Sequence, residues 1–426
     1  MLLAFFISFA QIIFILFKGY FLSIEFTLYP YLVGHRFIPY TNILDQHFPS
    51  LFFGVFSLPL LSQTSPTPLL ILFVLVILST NLLFYRYLKL AKIQKPLLWL
   101  VLYVTLMSYF SVNILWVETF INFLMVVTLN LSLKKAKVSN LIIGLILSQI
   151  LLMRPTLLPC LFFLLLFIGG FTTEIFFGLL SGLIISFLYL IFKNNFQQFI
   201  GLAINFNFSS YAKGSNNTPA LRQIFIITAL LIYSLYNSLK SKNLYLLSAV
   251  FFSLFAIFPR FGFEHLQPFI LFTVLLASIS KAKKPIIELI LIGVFAILLT
   301  IGLVRNRYGN YFYQPHLYSL ANEISKLPGR EVYLFGASDL LYPLSNKIPV
   351  GNLYLPSLPW YLNYPEFKEK LFERLKDSDA PIIVDTNFEV DGRKLIYSAP
   401  KIYEYIKMNY NLVEANGGIE LFLKKL

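Results

Sequence analysis

Apolar runs of about 20 residues recur from the N-terminus to residue 304, each long enough to cross a hydrocarbon core of about 30 Å as a helix. A backbone in lipid must satisfy its own polar groups, and a helix does so within one segment. The runs do not alternate polar and apolar residues, so they do not read as barrel strands. Charged residues make up 13% of the chain, against roughly 25% in soluble domains, and 58% of residues are hydrophobic. The expected fold class is a polytopic α-helical membrane protein.

The formal charge of +14 would also suit nucleic-acid binding. Here, however, Lys and Arg gather in short clusters between apolar runs: Arg86/Lys89/Lys92/Lys95, Lys134/Lys135/Lys137, Lys240/Lys242 and Lys281/Lys283/Lys284. Short basic loops stay in the cytoplasm, so the pattern argues for a membrane and against nucleic acid as partner. Placing all four clusters inside requires an even number of crossings between neighbours. The runs at 96–110 and 113–131, at 140–153, 156–169, 175–192 and 224–239, and at 244–258 and 266–277 permit this. With the runs at 2–17, 68–84 and 285–304 they give about eleven transmembrane helices. The N-terminus is then inside and everything after Arg305 outside. The run at 2–17 has no basic residue before it and reads as a retained span rather than a secretory signal. Segment 50–61, broken by Pro59, reads as re-entrant or interfacial. Cys160, the one cysteine, lies in an apolar run and reads as a small buried hydrophobe.

Three polar segments face outward in this topology: a loop at 18–49, a loop at 193–222 with Asn205, Asn207, Asn216 and Asn217, and the tail from Arg305. His35, His47, His265 and His316 all fall on or near that face, although polar loops attract histidines in any case. The chain thus divides into a transmembrane domain, 1–304, and a small extracytoplasmic α/β domain, 305–426. In the tail, 331–336 (EVYLFG), 380–385 (APIIVD) and 419–423 read as strands, and 338–344, 366–375 and 402–408 as helices. That alternation suggests a partly parallel sheet. The tail carries no glycine-rich dinucleotide or phosphate-binding motif, and reads as an accessory or lid domain without chemistry of its own.

Ionisable groups at membrane depth cost roughly 2.5–3.5 kcal/mol even on the lenient scale, which makes the exceptions informative. Glu118 lies in NILWVETFINF, Arg154 in LLMRPTLLP, and Arg260, Glu264 and His265 in IFPRFGFEHLQPF. Asp45 and His47 lie in PYTNILDQHFP. Each has an ordinary alternative. The arginines can snorkel to headgroups, Glu118 can meet water at a helix end, Glu264 can serve as a structural partner of Arg260, and Asp45 can be a turn residue. As a set, an acid in the first outer loop, an acid on a span and two arginines suit displacement of a phosphate leaving group. A carboxylate takes the proton of an attacking hydroxyl, and arginines hold the departing phosphate through bidentate bonds.

Residues 34–49 (GHRFIPYTNILDQHFP) carry a resemblance to the GT-C-type polyprenyl-phosphate-sugar glycosyltransferases, which include protein O-mannosyltransferase-like and aminoarabinose-transferase-like enzymes. Bacterial members show a first outer loop of similar form, and this chain keeps Pro39, Tyr40, Asp45, His47 and Pro49, with Asn42 where an acid is common. Glu118, Arg154-Pro155 and Pro259-Arg260-Phe261 with His265 and Pro268 resemble further family positions. The resemblance implies a lipid-linked sugar donor entering from the membrane and a lipid, glycan or protein acceptor from outside. It makes Asp45 the base or acceptor-orienting group and has Arg154 and Arg260 hold the lipid phosphate, with Glu118, His47, His265 and Tyr40 in support. Single displacement without an enzyme nucleophile would invert the anomeric centre. Some relatives hold a divalent metal in this loop; Asp45 and His47 are candidate ligands, but two groups are too few to argue a site. The short loops and the resemblance point to a bacterial plasma membrane. Competing readings are a polysaccharide polymerase or ligase, a lipid-linked-sugar transporter or flippase, and a membrane scaffold.

Overall fold

The computed structural model describes residues 1–53, 67–214, 218–280, 285–305 and 315–425. Most of them are helical. Four helices, Thr67–Leu90, Thr173–Phe192, Leu221–Ser241 and Ile286–Leu303, are long and apolar enough to cross a membrane. Shorter apolar helices among the described residues lie at Leu2–Lys18, Pro96–Tyr109, Val117–Ser132, Lys137–Met153, Pro155–Ile168, Leu244–Ile257 and Phe263–Ile279. These helices are compatible with a helical membrane protein. The basic cluster Lys281/Lys283/Lys284, Asn216, Asn217 and residues 54–61 of the proline-broken segment lie outside the described residues.

The chain forms two compact units. One comprises Met1–Ser23, Leu69–Ser186 and Thr218–Tyr311; the other comprises Ile24–Pro68, Phe187–Asn217 and Phe312–Leu426. The second unit therefore takes in the tail together with stretches of both polar segments that precede it in sequence.

The core of the helical unit follows hydrophobic pattern. Helix Gln267–Ile279 is apolar on all sides, and every residue from Gln267 to Ser278 is buried, as expected of a central helix. Ile286–Arg305 is just as apolar, yet Ile286, Leu289, Ile290, Val294 and Ile297 are exposed, which suits lipid better than water. The run at 113–131 turns helical only at Val117, because Ile114–Leu115 is a short strand paired in parallel with Phe21–Leu22.

Small residues let two helices touch. A Cβ on Gly144 would lie 2.1 Å from the Ile175 carbonyl oxygen, and one on Gly178 would lie 2.1 Å from that of Leu141. Gly182 meets Ser148 in the same way. The spacing Gly144-x3-Ser148 against Gly178-x3-Gly182 is the small-residue pattern that membrane helices use for close crossings. Gly178→Leu is expected to cost about 1–3 kcal/mol or more through forced separation, read as a lower melting temperature in detergent. Gly302→Ala, where a Cβ meets nothing within 4 Å, is expected to cost nothing.

The second unit is built on a five-stranded sheet ordered Ile348–Pro349, Glu331–Phe335, Ile382–Asp385, Ile419–Lys424, Tyr410–Asn416. The first three strands are parallel and the last two antiparallel. Helices Leu341–Ser345, Pro365–Lys376 and Pro400–Asn409 accompany them. Strand Tyr410–Asn416 is not legible as a strand, since only Tyr410 is buried. It forms because Gly417 and Gly418 take φ of +59° and +93°, a two-residue hairpin turn that glycines favour.

Segment 193–222, expected as a polar loop, is largely helical: Phe196–Phe199 leads into a π-helix, Ile200–Tyr211. Phe199, Leu202, Ala203 and Phe206 recur every three to four residues and are buried, and this apolar stripe outweighs the asparagines. Phe206 packs against Tyr361 at 5.0 Å and Phe367 at 5.3 Å between ring centroids. Segment 18–49 likewise contains a helix, Glu25–Gly34, with Phe26 to Leu32 buried.

Candidate functional site

The predicted site residues fall into two groups, one in each unit. Tyr40, Asp45 and His47 belong to the sheet-containing unit; Glu118, Arg154, Arg260 and His265 belong to the helical unit.

In the sheet-containing unit, residues 39–47 are held by three different parts of the chain. Ile43 forms a parallel bridge with Tyr354, closed by Leu44 N–H to the Tyr354 carbonyl (3.0 Å) and Tyr354 N–H to the Asn42 carbonyl (2.7 Å). Asn195 donates to the Pro39 carbonyl at 2.7 Å and Asn207 to that of Gln46 at 3.1 Å. Tyr40 sits at φ +66°, a strained conformation for a bulky residue. Its ring is fixed edge-on to Phe52 and Phe199, and its hydroxyl donates to the His47 carbonyl at 2.7 Å. Tyr40 thus positions the His47 backbone.

Asp45 is 3% exposed. Its Oδ1 lies 2.5 Å from His47 Nδ1 and accepts from His47 N–H at 2.8 Å. Its Oδ2 accepts from the Tyr361 hydroxyl at 3.3 Å, and that hydroxyl also accepts from Gln46 N–H at 3.1 Å. Burial alone would raise the Asp45 carboxyl, but the charge and hydrogen bonds of His47, with a bond from Tyr29, more than offset it. The carboxyl therefore lies below its ordinary range and stays ionised. The His47 side chain is 24% exposed against 4% for Asp45, so His47 is the more exposed member of the pair.

Two further acids stand nearby. Glu25 is raised by burial, with His47 opposing and Asp45 adding to the rise. Asp339, which accepts from the Tyr354 hydroxyl at 2.8 Å, is pushed up to about 7, first by burial and then by the Glu25 charge, against the Tyr354 bond. The folded protein then holds this proton more tightly than the unfolded chain, whose value is near 3.8. Stability contributed here is present at low pH and lost as pH climbs from about 4 through about 7. Asp339→Asn is expected to flatten that slope in melting temperatures measured between pH 4 and 8.

In the helical unit, Glu118 is fully buried at the first turn of Val117–Ser132, where the helix dipole favours an anion. Its Oε1 lies 2.8 Å from His265 Nδ1 and 3.3 Å from Arg154 Nε. Arg154 follows the last residue of Lys137–Met153, where a cation is favoured. It also donates from Nε (3.0 Å) and Nη2 to the Ala256 carbonyl. Glu264, read from sequence as a structural partner of Arg260, lies 3.8 Å from His265 Nε2. Arg260 is half-buried in the turn between Leu254–Ile257 and Phe263–Leu266.

Sequence reasoning missed Tyr29, Tyr354 and Tyr361 around Asp45, and Glu25 and Asp339 beside it. Tyr361 lies 316 positions from Asp45, and nothing local marks it among 26 tyrosines. Among the described residues no three His, Cys, Asp or Glu side chains group as metal ligands. Asp45 and His47 alone are too small a donor set to argue a metal site, and no step is derived through one. Comparison with family models and with curated proteins finds no match to the chain.

Proposed function

We propose that the chain is a GT-C-type membrane glycosyltransferase, moving a sugar from a polyprenyl-phosphate donor to an acceptor at the extracytoplasmic face. The observation that carries the reading is the Asp45–His47 pair: an ionised, buried carboxylate bonded to the ring of a more exposed histidine. That is an acid–base arrangement in which the carboxylate orients the imidazole and stabilises the imidazolium formed on accepting a proton. In this reading the four long apolar helices cross the membrane and the shorter apolar helices complete about eleven crossings, with the N-terminus inside and the tail outside.

In this reading the acceptor hydroxyl attacks the anomeric carbon and gives its proton to His47. The bond from that carbon to the phosphate oxygen breaks, and its electrons leave with the polyprenyl phosphate. One displacement with no enzyme nucleophile inverts the centre.

Purified protein given a polyprenyl-phosphate sugar and an acceptor is expected to yield free polyprenyl phosphate and a glycoside of opposite anomeric configuration by NMR. Retained configuration would exclude single displacement. Donor carried intact across a vesicle membrane would instead support a transporter, and growth of a sugar chain on the lipid itself a polymerase.

A further inference from the structure

The helical unit holds a small cavity whose lining includes the polar residues Gln11, Asn81, Tyr103, Thr119, Asn122 and Gln267. Part of the lining satisfies itself. Asn81 donates to Gln11 Oε1 at 2.7 Å, and Gln11 Nε2 donates to Ser108 Oγ at 3.1 Å and the Val104 carbonyl at 3.2 Å. The rest does not. Tyr103 Oη, Asn122 Oδ1 and both amide atoms of Gln267 have no protein partner among the described residues. These three side chains are 0%, 1% and 0% exposed. Polar atoms left dry at such depth are costly, and here four of them belong to residues around one cavity.

We propose that this cavity is an internal hydration site, in which ordered water links Tyr103, Asn122 and Gln267. The lining selects the guest. Asn122 Oδ1 and Gln267 Oε1 need a donor, while Gln267 Nε2 needs an acceptor. A metal cation cannot accept and a simple anion cannot donate; water does both. The free space of about 10 Å³ is about what one water occupies and excludes a sugar or a lipid headgroup. The three residues come from helices Pro96–Tyr109, Val117–Ser132 and Gln267–Ile279, so the water acts as a joint between three helices. Asn122 lies one helical turn beyond Glu118, and Gln267 two residues beyond His265, so the site is carried by the same segments as the charged cluster. The inference does not depend on the proposed reaction.

The test is X-ray radiolytic labelling of the whole protein in detergent, read by mass spectrometry. Hydroxyl radicals made from bound water oxidise adjacent side chains. Met107 lines the cavity, whereas Met125, equally shielded from solvent at 0% against 3%, does not. Met107 is expected to oxidise at least about five-fold faster than Met125 if a water is held beside it. Gln267→Leu and Asn122→Leu, whichever folds, are expected to bring Met107 down to the Met125 rate. Equal slow oxidation of both methionines in the wild type, or fast oxidation of Met107 that neither variant slows, would overturn the proposal.

Discussion

Replacing His47 with alanine is expected to lower sugar transfer by about two to four orders of magnitude, the usual contribution of a positioned general base, while the protein stays folded. Losing the imidazole takes one partner from Asp45, whose carboxylate keeps the His47 backbone N–H and the Tyr361 hydroxyl. Tyr40 holds the His47 carbonyl and Asp45 accepts from its backbone N–H, and alanine keeps both groups. What is lost is the ring that lies 2.5 Å from the Asp45 carboxylate. The wild-type rate is expected to fall on the acid side as the imidazole is protonated, and the alanine variant to lose that limb. The measurement is kcat/KM against pH for both proteins. An unchanged rate and profile in the variant would assign proton transfer to Asp45 or to a group outside this pair.

Removing the Glu118 carboxylate is expected to cost about 3–5 kcal/mol of stability, because it leaves a largely enclosed guanidinium, 14% exposed, without its counter-charge. Glu118→Ala leaves Arg154 with the Ala256 carbonyl and deprives His265 of its 2.8 Å partner. The double variant Glu118→Leu/Arg154→Leu is expected to recover much of the loss, since it removes both charges together. Thermal unfolding in detergent, arranged as a double-mutant cycle, reads the coupling. A cost below about 1 kcal/mol for Glu118→Ala would mean that water reaches the pair.

What could be read from sequence follows from what is local. The apolar helices were legible because length and composition alone mark a segment fit for lipid. Strands Glu331–Phe335 and Ile382–Asp385 were legible as short apolar runs ending at Gly336 and at Asp385 itself. Segment 193–222 reads as a loop because its asparagines mask the stripe of Phe199, Leu202 and Phe206; Phe206 packs against Tyr361 and Phe367 of the tail and Phe199 against Tyr40. In the candidate site, Asp45, Glu118 and Arg154 stood out by charge where charge is expensive. Their pairing did not: His265, itself marked in sequence, lies 147 positions from Glu118, and the Ala256 carbonyl that Arg154 uses has no sequence signature. Arg154 and Arg260 read from sequence as a matched phosphate-binding pair, yet a guanidinium in apolar surroundings takes the nearest anion and carbonyl before any ligand arrives.

The most direct measurement is release of free polyprenyl phosphate from a polyprenyl-phosphate sugar by wild type and Asp45→Asn side by side, with folding of both checked by thermal unfolding. Asparagine keeps the shape of the side chain but removes the charge that holds His47 through its Nδ1. The account predicts release by the wild type and its near-complete loss in a folded Asp45→Asn protein. Equal release by both, or none from any such donor, would contradict it.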